Sequence, residues 1–399
     1  MFVITVSGAA AAPVAVSATD TVSITIVLNC VWPMACAGPG LSGEQSPNYN
    51  ASLIIVIVTT RAPHVTPIIQ EKAVQATSFP VTYDDILMAR ERLRPYLAPT
   101  PLRNYPLLDE LVGRGIRVWV KHENHQPTQS FKIRNGIAAI TALSPEARAR
   151  GAIGASTGNH GQGVAYAGKL LGVKVTICVP VGNNPEKNAA IRSMGAELIE
   201  TGATYDETAA ECDRIRAERG MTLLHSTNNR DVIAGAGTMT LEILEQEPDL
   251  DAVVIALGGG SQSVGALTVA AARKPSLAVY AVGAAGAPAQ YESWKLGRRL
   301  TGRPIATFAE GIGTGSAYEL TFDALKAGLA GFVTVSEDEM YQAIRDLIRI
   351  THNLPEGAGA AGLAGLHKLA PELAGKRVAI VMCGGNLGSA SLARALSVQ

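Results

Sequence analysis

Aromatic residues are scarce in this sequence: Phe, Trp and Tyr together fill 5% of its 399 positions. Base-stacking platforms need rings in number, so the composition argues against a nucleic-acid binder. Charge is also sparse and evenly divided. Lys plus Arg and Asp plus Glu number 34 each, so no global field draws in nucleic acid or anionic lipid. The five cysteines, Cys30, Cys36, Cys178, Cys212 and Cys383, show no CxxC spacing. They read as reduced thiols of a cytoplasmic protein, not as a disulfide or zinc framework. No Lys or Arg precedes Arg61, so the start lacks the basic region of a secretory signal. The apolar stretch 52–60 is too short to span a bilayer, and no membrane partner is expected.

What is present is the composition of an α/β enzyme. Hydrophobic residues make up 47% and there are 41 glycines, as buried parallel strands with tight turns require. The length calls for two or more domains. Residues 1–78 stand apart: rich in Ala, Val, Ser and Pro, they read as a disordered leader or as text upstream of the native start.

From Thr82 the pattern is regular. Asp84 and Asp85 can cap a helix whose apolar face carries Ile86, Leu87, Ala89 and Leu93, with Pro95 stopping it. A turn at 100–102 leads to a short helix over 107–111 and a strand over 116–121. Strands then alternate with helices: strands at 151–155, 173–180, 196–201 and 222–225, helices at 161–171, 188–194 and 205–219. A polar loop at 228–230 precedes a helix over 237–246. Strands 252–257 and 278–282, a long connection, helices 337–351 and 358–369, a strand at 377–383 and a closing helix from Leu387 complete the chain. Such βα units build compact parallel sheets.

Four segments at strand ends carry chemistry. In the first, Ser130, Phe131, Lys132, Ile133 and Arg134 open a helix, and Lys132 sits between apolar neighbours. An ammonium in that setting loses hydration, and its pKa falls towards that of a nucleophilic amine able to form Schiff bases with carbonyls. The alternative is a lysine that snorkels from a helix end. In the second, Ser156, Thr157, Gly158, Asn159 and His160 supply N–H groups and hydroxyls suited to a carboxylate, or serve only as a capping turn. In the third, Gly258, Gly259, Gly260 and Ser261 end a buried strand and open a helix, where backbone N–H groups can cradle an anion. Ser263 occupies the place of the third glycine of a dinucleotide fingerprint, and its hydroxyl is placed to join that cradle. A packing turn without a ligand is the alternative. The fourth is Cys383, Gly384, Gly385 and Asn386, at the carboxyl end of the last strand, where α/β sites gather. His122 and His125 repeat at i, i+3 with no second ligand pair nearby, so no metal is expected.

Together and in this order, the four segments resemble the fold-type II pyridoxal-phosphate (PLP) enzymes, in the threonine/serine dehydratase and serine racemase branch. The resemblance runs from Pro80 to Ser397. It implies a two-domain α/β fold like the tryptophan synthase β-chain, with parallel-rich twisted sheets flanked by helices. The large PLP-binding domain then comprises 79–147 and 230–399, and the small domain 148–229. It implies that Lys132 carries PLP and moves the α-proton, with Phe131 beside it. Asn159 touches the ring oxygen, Gly258 to Ser261 hold the phosphate, and Cys383 hydrogen-bonds the pyridine nitrogen. Ser156, Thr157, Gly158 and His160 receive the substrate carboxylate. Glu356 resembles an acidic residue near the ring in relatives, with its register shifted by one. A cytoplasmic homodimer is implied, acting on an amino acid.

The expected reaction is loss of water from a β-hydroxy-α-amino acid, threonine or serine or a bulkier analogue, to give a 2-oxo acid and ammonia. Some positions depart from the family pattern. Gln129 and Asn135 stand where relatives more often have a small residue, and Thr157 stands where racemases place a proton-transferring serine. Racemisation is thus the alternative, and a PLP-binding protein without turnover a further one. A chain starting near Ser78 is expected to fold and keep activity. Loss of a cooperative melt on truncation would show residues 1–78 to be structural.

Overall fold

The computed structural model describes residues 79–397 and, within the N-terminal unit Met1–Lys72, only the antiparallel pairing of β1 (Val3–Ile4) with β2 (Ile55–Val56). The rest of the expected leader, with Cys30 and Cys36, lies outside the described residues. The strands continue as β3 (Leu102–Asn104), β4 (Arg117–His122), β5 (Ala152–Ala155), β6 (Val175–Val179), β7 (Glu197–Glu200) and β8 (Thr222–Leu223). Then come β9 (Ala252–Ala256), β10 (Ala278–Ala284), β11 (Gly331–Val335) and β12 (Arg377–Met382).

Beyond the N-terminal pair they form two sheets, one ordered β11-β10-β9-β12-β4-β3 and the other β7-β6-β5-β8. Every pairing in these is parallel except that of β3, which runs antiparallel to β4 at the edge. The central strands β9 and β12 are built mainly of Val, Ile and Ala, because helices cover both faces and no residue of β9 faces water. Register places Ile380 of β12 beside Val254 of β9 on one side and Val120 of β4 on the other. The carboxyl ends of β9, β12 and β4 therefore lie side by side, and the segments that follow them emerge together.

The helix bearing the lysine, Lys132–Ala142, crosses the helix Asn159–Leu171 at glycine on glycine. A Cβ on Gly163 would stand 2.5 Å from the Lys132 carbonyl oxygen. Beneath this helix the Arg134 guanidinium is buried between two carboxylates. Nε and Nη2 donate to Glu123 at 2.8 Å each, and Nη1 and Nη2 to Glu242 at 2.6 and 2.8 Å. Lys121 adds a further 2.8 Å bond to Glu242. Burial alone would raise the Glu123 carboxyl, but Arg134, Lys121 and the Thr100 hydroxyl together outweigh it and hold the group below the usual carboxylate range.

Several expected elements shift for identifiable reasons. Thr82, not Asp84 or Asp85, is the first helix's cap, with Asp85 as its reciprocal partner. The polar run 228–230 is a helix start, because the Asn229 side chain accepts from the Val232 N–H and the helix runs Arg230–Gln246. The edge strand β3, the strand β11 and the helices Ala289–Leu296 and Glu319–Gly328 were not expected; the last three occupy what reads as a long irregular connection.

Replacing Arg134 by Met should destabilise the protein by about 3–5 kcal/mol, since the fully buried Glu123 loses its counter-charge and Glu242 keeps only Lys121. Urea unfolding measures this. A change below about 1 kcal/mol would show that the network is not what anchors the lysine helix.

Candidate active site

Lys132 is the first residue of its helix, and the preceding residue, Phe131, is helical and provides no side-chain cap. The loop before it is held by the segment after β12. The Phe131 N–H donates to the Cys383 carbonyl at 3.0 Å, the Gly385 N–H to the Gln129 carbonyl at 2.9 Å, and Ser130 bridges Gly384. Gln129 adopts φ 51°, a left-handed backbone that disfavours side chains, which accounts for the preference for small residues noted there. The Lys132 amine lies 3.4 Å from the Ser226 carbonyl and 5.0 Å from the centre of the Phe131 ring. Burial lowers its pKa to about 8, with Cys383 and Glu356 pulling the other way.

Opposite the lysine loop, three side chains form a chain whose orientations are determined. The Thr128 carbonyl can only accept, so the Asn386 amide donates to it at 3.0 Å and to Asn159 Oδ1 at 2.8 Å. Asn159 Nδ2 then donates to Glu356 Oε1 at 2.6 Å. One Nδ2 hydrogen of Asn159 is left for a ligand. Burial pushes the Glu356 carboxyl up, and burial followed by Glu356 pushes the Cys383 thiol up. The thiol is therefore neutral beside the cavity. Glu356, whose register reads as shifted by one, belongs to the site: it precedes the helix Gly357–Leu369 as its N-cap residue and is hydrogen-bonded to Asn159.

The glycine run follows β9 and opens the helix Ser261–Arg273. Gly260 caps it at φ 99° with no side-chain hydrogen bond, so the first-turn N–H groups have no capping side chain. A Cβ on Gly259 would fall 1.8 Å from the Thr227 hydroxyl, and only glycine permits that approach. Ser263 is not among the residues that line the cavity: it is fully buried, and its hydroxyl has no partner among the described residues.

In the segment after β5, the Ser156 hydroxyl oxygen accepts from the Gly158 and Gly161 N–H groups at 3.3 and 3.0 Å, so part of its capacity goes to capping. His160 donates from Nε2 to the Leu224 carbonyl at 2.8 Å, which leaves Nδ1 unprotonated and without a partner. Burial, then the charge of Lys132, lowers its pKa to about 3. Neutral His160 is thus oriented by the backbone.

One cavity of about 700 Å³ is lined by Phe131, Lys132, residues 156–160, residues 258–261 and Cys383, as expected. The cavity also takes in residues the motifs did not reveal, including His225 to Thr227, Tyr205, and the Lys187–Glu310 ion pair at 2.7 Å. His225 lies just past the carboxyl end of β8, a position that could have flagged it. Nothing in the local sequence marks Lys187 and Glu310, which meet only in the fold. No helix among the described residues is long and apolar enough to cross a membrane.

Among known proteins, a family model described as "Pyridoxal-phosphate dependent enzyme" matches residues 93–384. L-threonine ammonia-lyase of Thermotoga maritima is 37% identical over 77% of this chain and 76% of its own length. The crystal structure of serine racemase from Dictyostelium discoideum superposes with TM-score 0.73 at 32% identity, over 77% of this chain and 99% of that one. The structure of maize serine racemase gives a TM-score of 0.76 at 28% identity, over 80% of this chain and 97% of that one.

The depressed amine makes a prediction of its own. In protein stripped of small molecules, acylation of Lys132 followed by peptide mapping should show a midpoint near pH 8. A midpoint close to that of solvent-exposed lysines, about 10.4, would mean that the amine is fully hydrated.

Proposed function

We propose the following for this chain, which belongs to the family of pyridoxal-phosphate dependent enzymes. It is an ammonia-lyase that eliminates water from a β-hydroxy-α-amino acid, L-threonine or L-serine by default, to give a 2-oxo acid and ammonia. The observation that carries this is the meeting in one cavity of a lysine amine held near neutrality, an uncapped helix N-terminus and a neutral thiol. Sequence relatives named L-threonine ammonia-lyase or dehydratase, at 34–37% identity, support the lyase over the racemase reading.

The residues fit the cofactor. The free N–H groups at the start of the helix Ser261–Arg273 suit a phosphate dianion, with Gly258, Gly259, Gly260 and Ser261 as its walls. Lys132 would hold the aldehyde carbon, Asn159 would offer its spare Nδ2 hydrogen to the ring oxygen, and Cys383 would lie by the ring nitrogen. Bound there, pyridoxal 5'-phosphate supplies an electron sink for the electron pair left at the α-carbon.

The chain's own groups do the rest. The N–H groups of Thr157, Asn159 and His160, left over after those of Ser156 and Gly158 are used within the protein, bind the substrate carboxylate and orient the α-hydrogen. Once released by substrate, the Lys132 amine takes that proton, and its pKa, lowered to about 8, leaves a larger unprotonated fraction near neutral pH than an ordinary lysine has. The Cys383 thiol is pushed up by burial and does not donate a full proton to the ring nitrogen. With a neutral thiol there, charge would remain nearer the α-carbon, which would favour departure of a β-substituent. Thr157 also faces the cavity, and its hydroxyl is the group through which any racemase side activity would run.

The four-stranded sheet β7-β6-β5-β8 supports treating 148–229 as a small domain and 79–147 with 230–399 as the large one. The cytoplasmic setting is proposed from the cysteine spacing in the sequence alone. The homodimer is proposed on the resemblance alone.

Replacing Lys132 by Ala should abolish the cofactor's visible absorbance and lower 2-oxo acid formation from L-threonine by more than about a thousandfold. Turnover retained in that variant would sink the assignment.

A further inference from the structure

The segment after β8 holds a histidine whose tautomer can be read from its neighbours. His225 Nδ1 accepts from the backbone N–H groups of Thr227 and Asn228, both at 2.9 Å. A nitrogen that accepts twice carries no proton, so the proton sits on Nε2. That Nε2–H has no protein partner among the described residues, and the ring lines the cavity. The ring is braced edge-on against Tyr318, with centroids 5.5 Å apart. The loop itself is tied down where the Leu320 N–H donates to Asn228 Oδ1 at 3.2 Å. Burial, and next the Lys132 charge, lowers the imidazole pKa, so the ring stays neutral and a fixed donor.

The position of this donor can be related to a bound amino acid. The substrate nitrogen must come to where the Lys132 amine now lies, 3.4 Å from the carbonyl of Ser226, the residue next to His225. Its carboxylate is drawn towards the N–H groups of Thr157, Asn159 and His160, in the segment beside the His225 loop, where His160 Nε2 donates to the Leu224 carbonyl at 2.8 Å. With both ends of the amino acid held beside this loop, the β-carbon comes within reach of the cavity surface lined by His225, Thr227 and Tyr318.

We propose that His225 donates its Nε2–H to the β-hydroxyl of the substrate, and that this bond selects β-hydroxy amino acids and supports the oxygen as it leaves. The inference rests on the lyase reading and names the residue that recognises the leaving group. The imidazole makes and breaks no covalent bond. It stabilises negative charge growing on oxygen as the C–O bond lengthens, and the proton that completes water is the α-proton returned by the Lys132 ammonium.

The test uses His225→Asn in the cofactor-loaded, full-length enzyme. Asn retains an acceptor for the Thr227 and Asn228 N–H groups but removes the Nε2 donor. Binding is read first, with α-methyl-L-serine against 2-aminoisobutyrate, which lack an α-proton and are not turned over. Titration of the cofactor absorbance should show the wild type preferring the hydroxyl compound by about tenfold, and the variant losing that preference. Turnover is read next. L-serine elimination should fall by about tenfold or more, while elimination from β-chloro-L-alanine, whose chloride leaves without a donor, should change less than about threefold. His225→Gln, which returns an N–H near the Nε2 position, should regain part of the preference.

Equal losses on both substrates overturn the proposal, as does an unchanged binding preference in His225→Asn. If that variant does not fold, failure of His225→Gln to prefer the hydroxyl compound overturns it. Wild-type protein that turns over neither β-substituted compound overturns the lyase reading itself. An active wild type with an unaltered variant overturns only the role of His225.

Discussion

The site depends on what the Asn386 amide can reach. From the end of β12 it donates to the Thr128 carbonyl in the lysine loop and to Asn159 in the loop after β5. The same short segment accepts the Phe131 N–H and the Glu356 N–H through its carbonyls, at 3.0 and 2.9 Å. Segments distant in sequence are thus held by backbone groups whose bonding roles allow no alternative. Because a carbonyl cannot donate, the orientation of each amide in the chain follows from the first, ending with a single free hydrogen on Asn159. Precision of this kind is needed for a reaction in which misplacement by an ångström is costly.

Electrostatics separates two roles for buried charge. Under the lysine helix, Arg134, Glu123, Glu242 and Lys121 neutralise one another with direct hydrogen bonds, so their burial fixes a position. In the cavity the opposite holds. Lys132, Glu356 and Cys383 lack close counter-ions among the described residues and are each pushed towards the neutral form, chiefly by burial. His160 and His225 are likewise neutral, each with its tautomer set by backbone groups. The structural charges are paired and the chemical ones are left poised.

Much of this was legible in the sequence. The helices Tyr205–Arg219 and Glu337–Thr351 form over the residues expected, the second with a marked apolar face, and Thr204 and Ser336 cap them. The buried strands announce themselves as Val and Ile runs, and each chemical segment follows one. The rest was hidden for physical reasons. β3 is a three-residue edge strand whose register is set by β4 and not by its own alternation. Asn229 reads as a loop residue because its capping bond is a property of the folded turn. Ser263 fits the motif by spacing but lies on the packed side of its helix. Glu356 lies one residue from its expected register, and only its bond to Asn159 shows that it belongs to the site. His225 carries no motif at all; its meaning comes from two backbone donors and a place just beyond β8.

The most direct test of the whole account is chemical. The loaded enzyme is treated with borohydride, which fixes the pyridoxyl group to whichever amine holds it, then digested and mapped by mass spectrometry. The account predicts the label on Lys132 alone, in the peptide that begins the helix Lys132–Ala142. A label on any other lysine, or none, would contradict it.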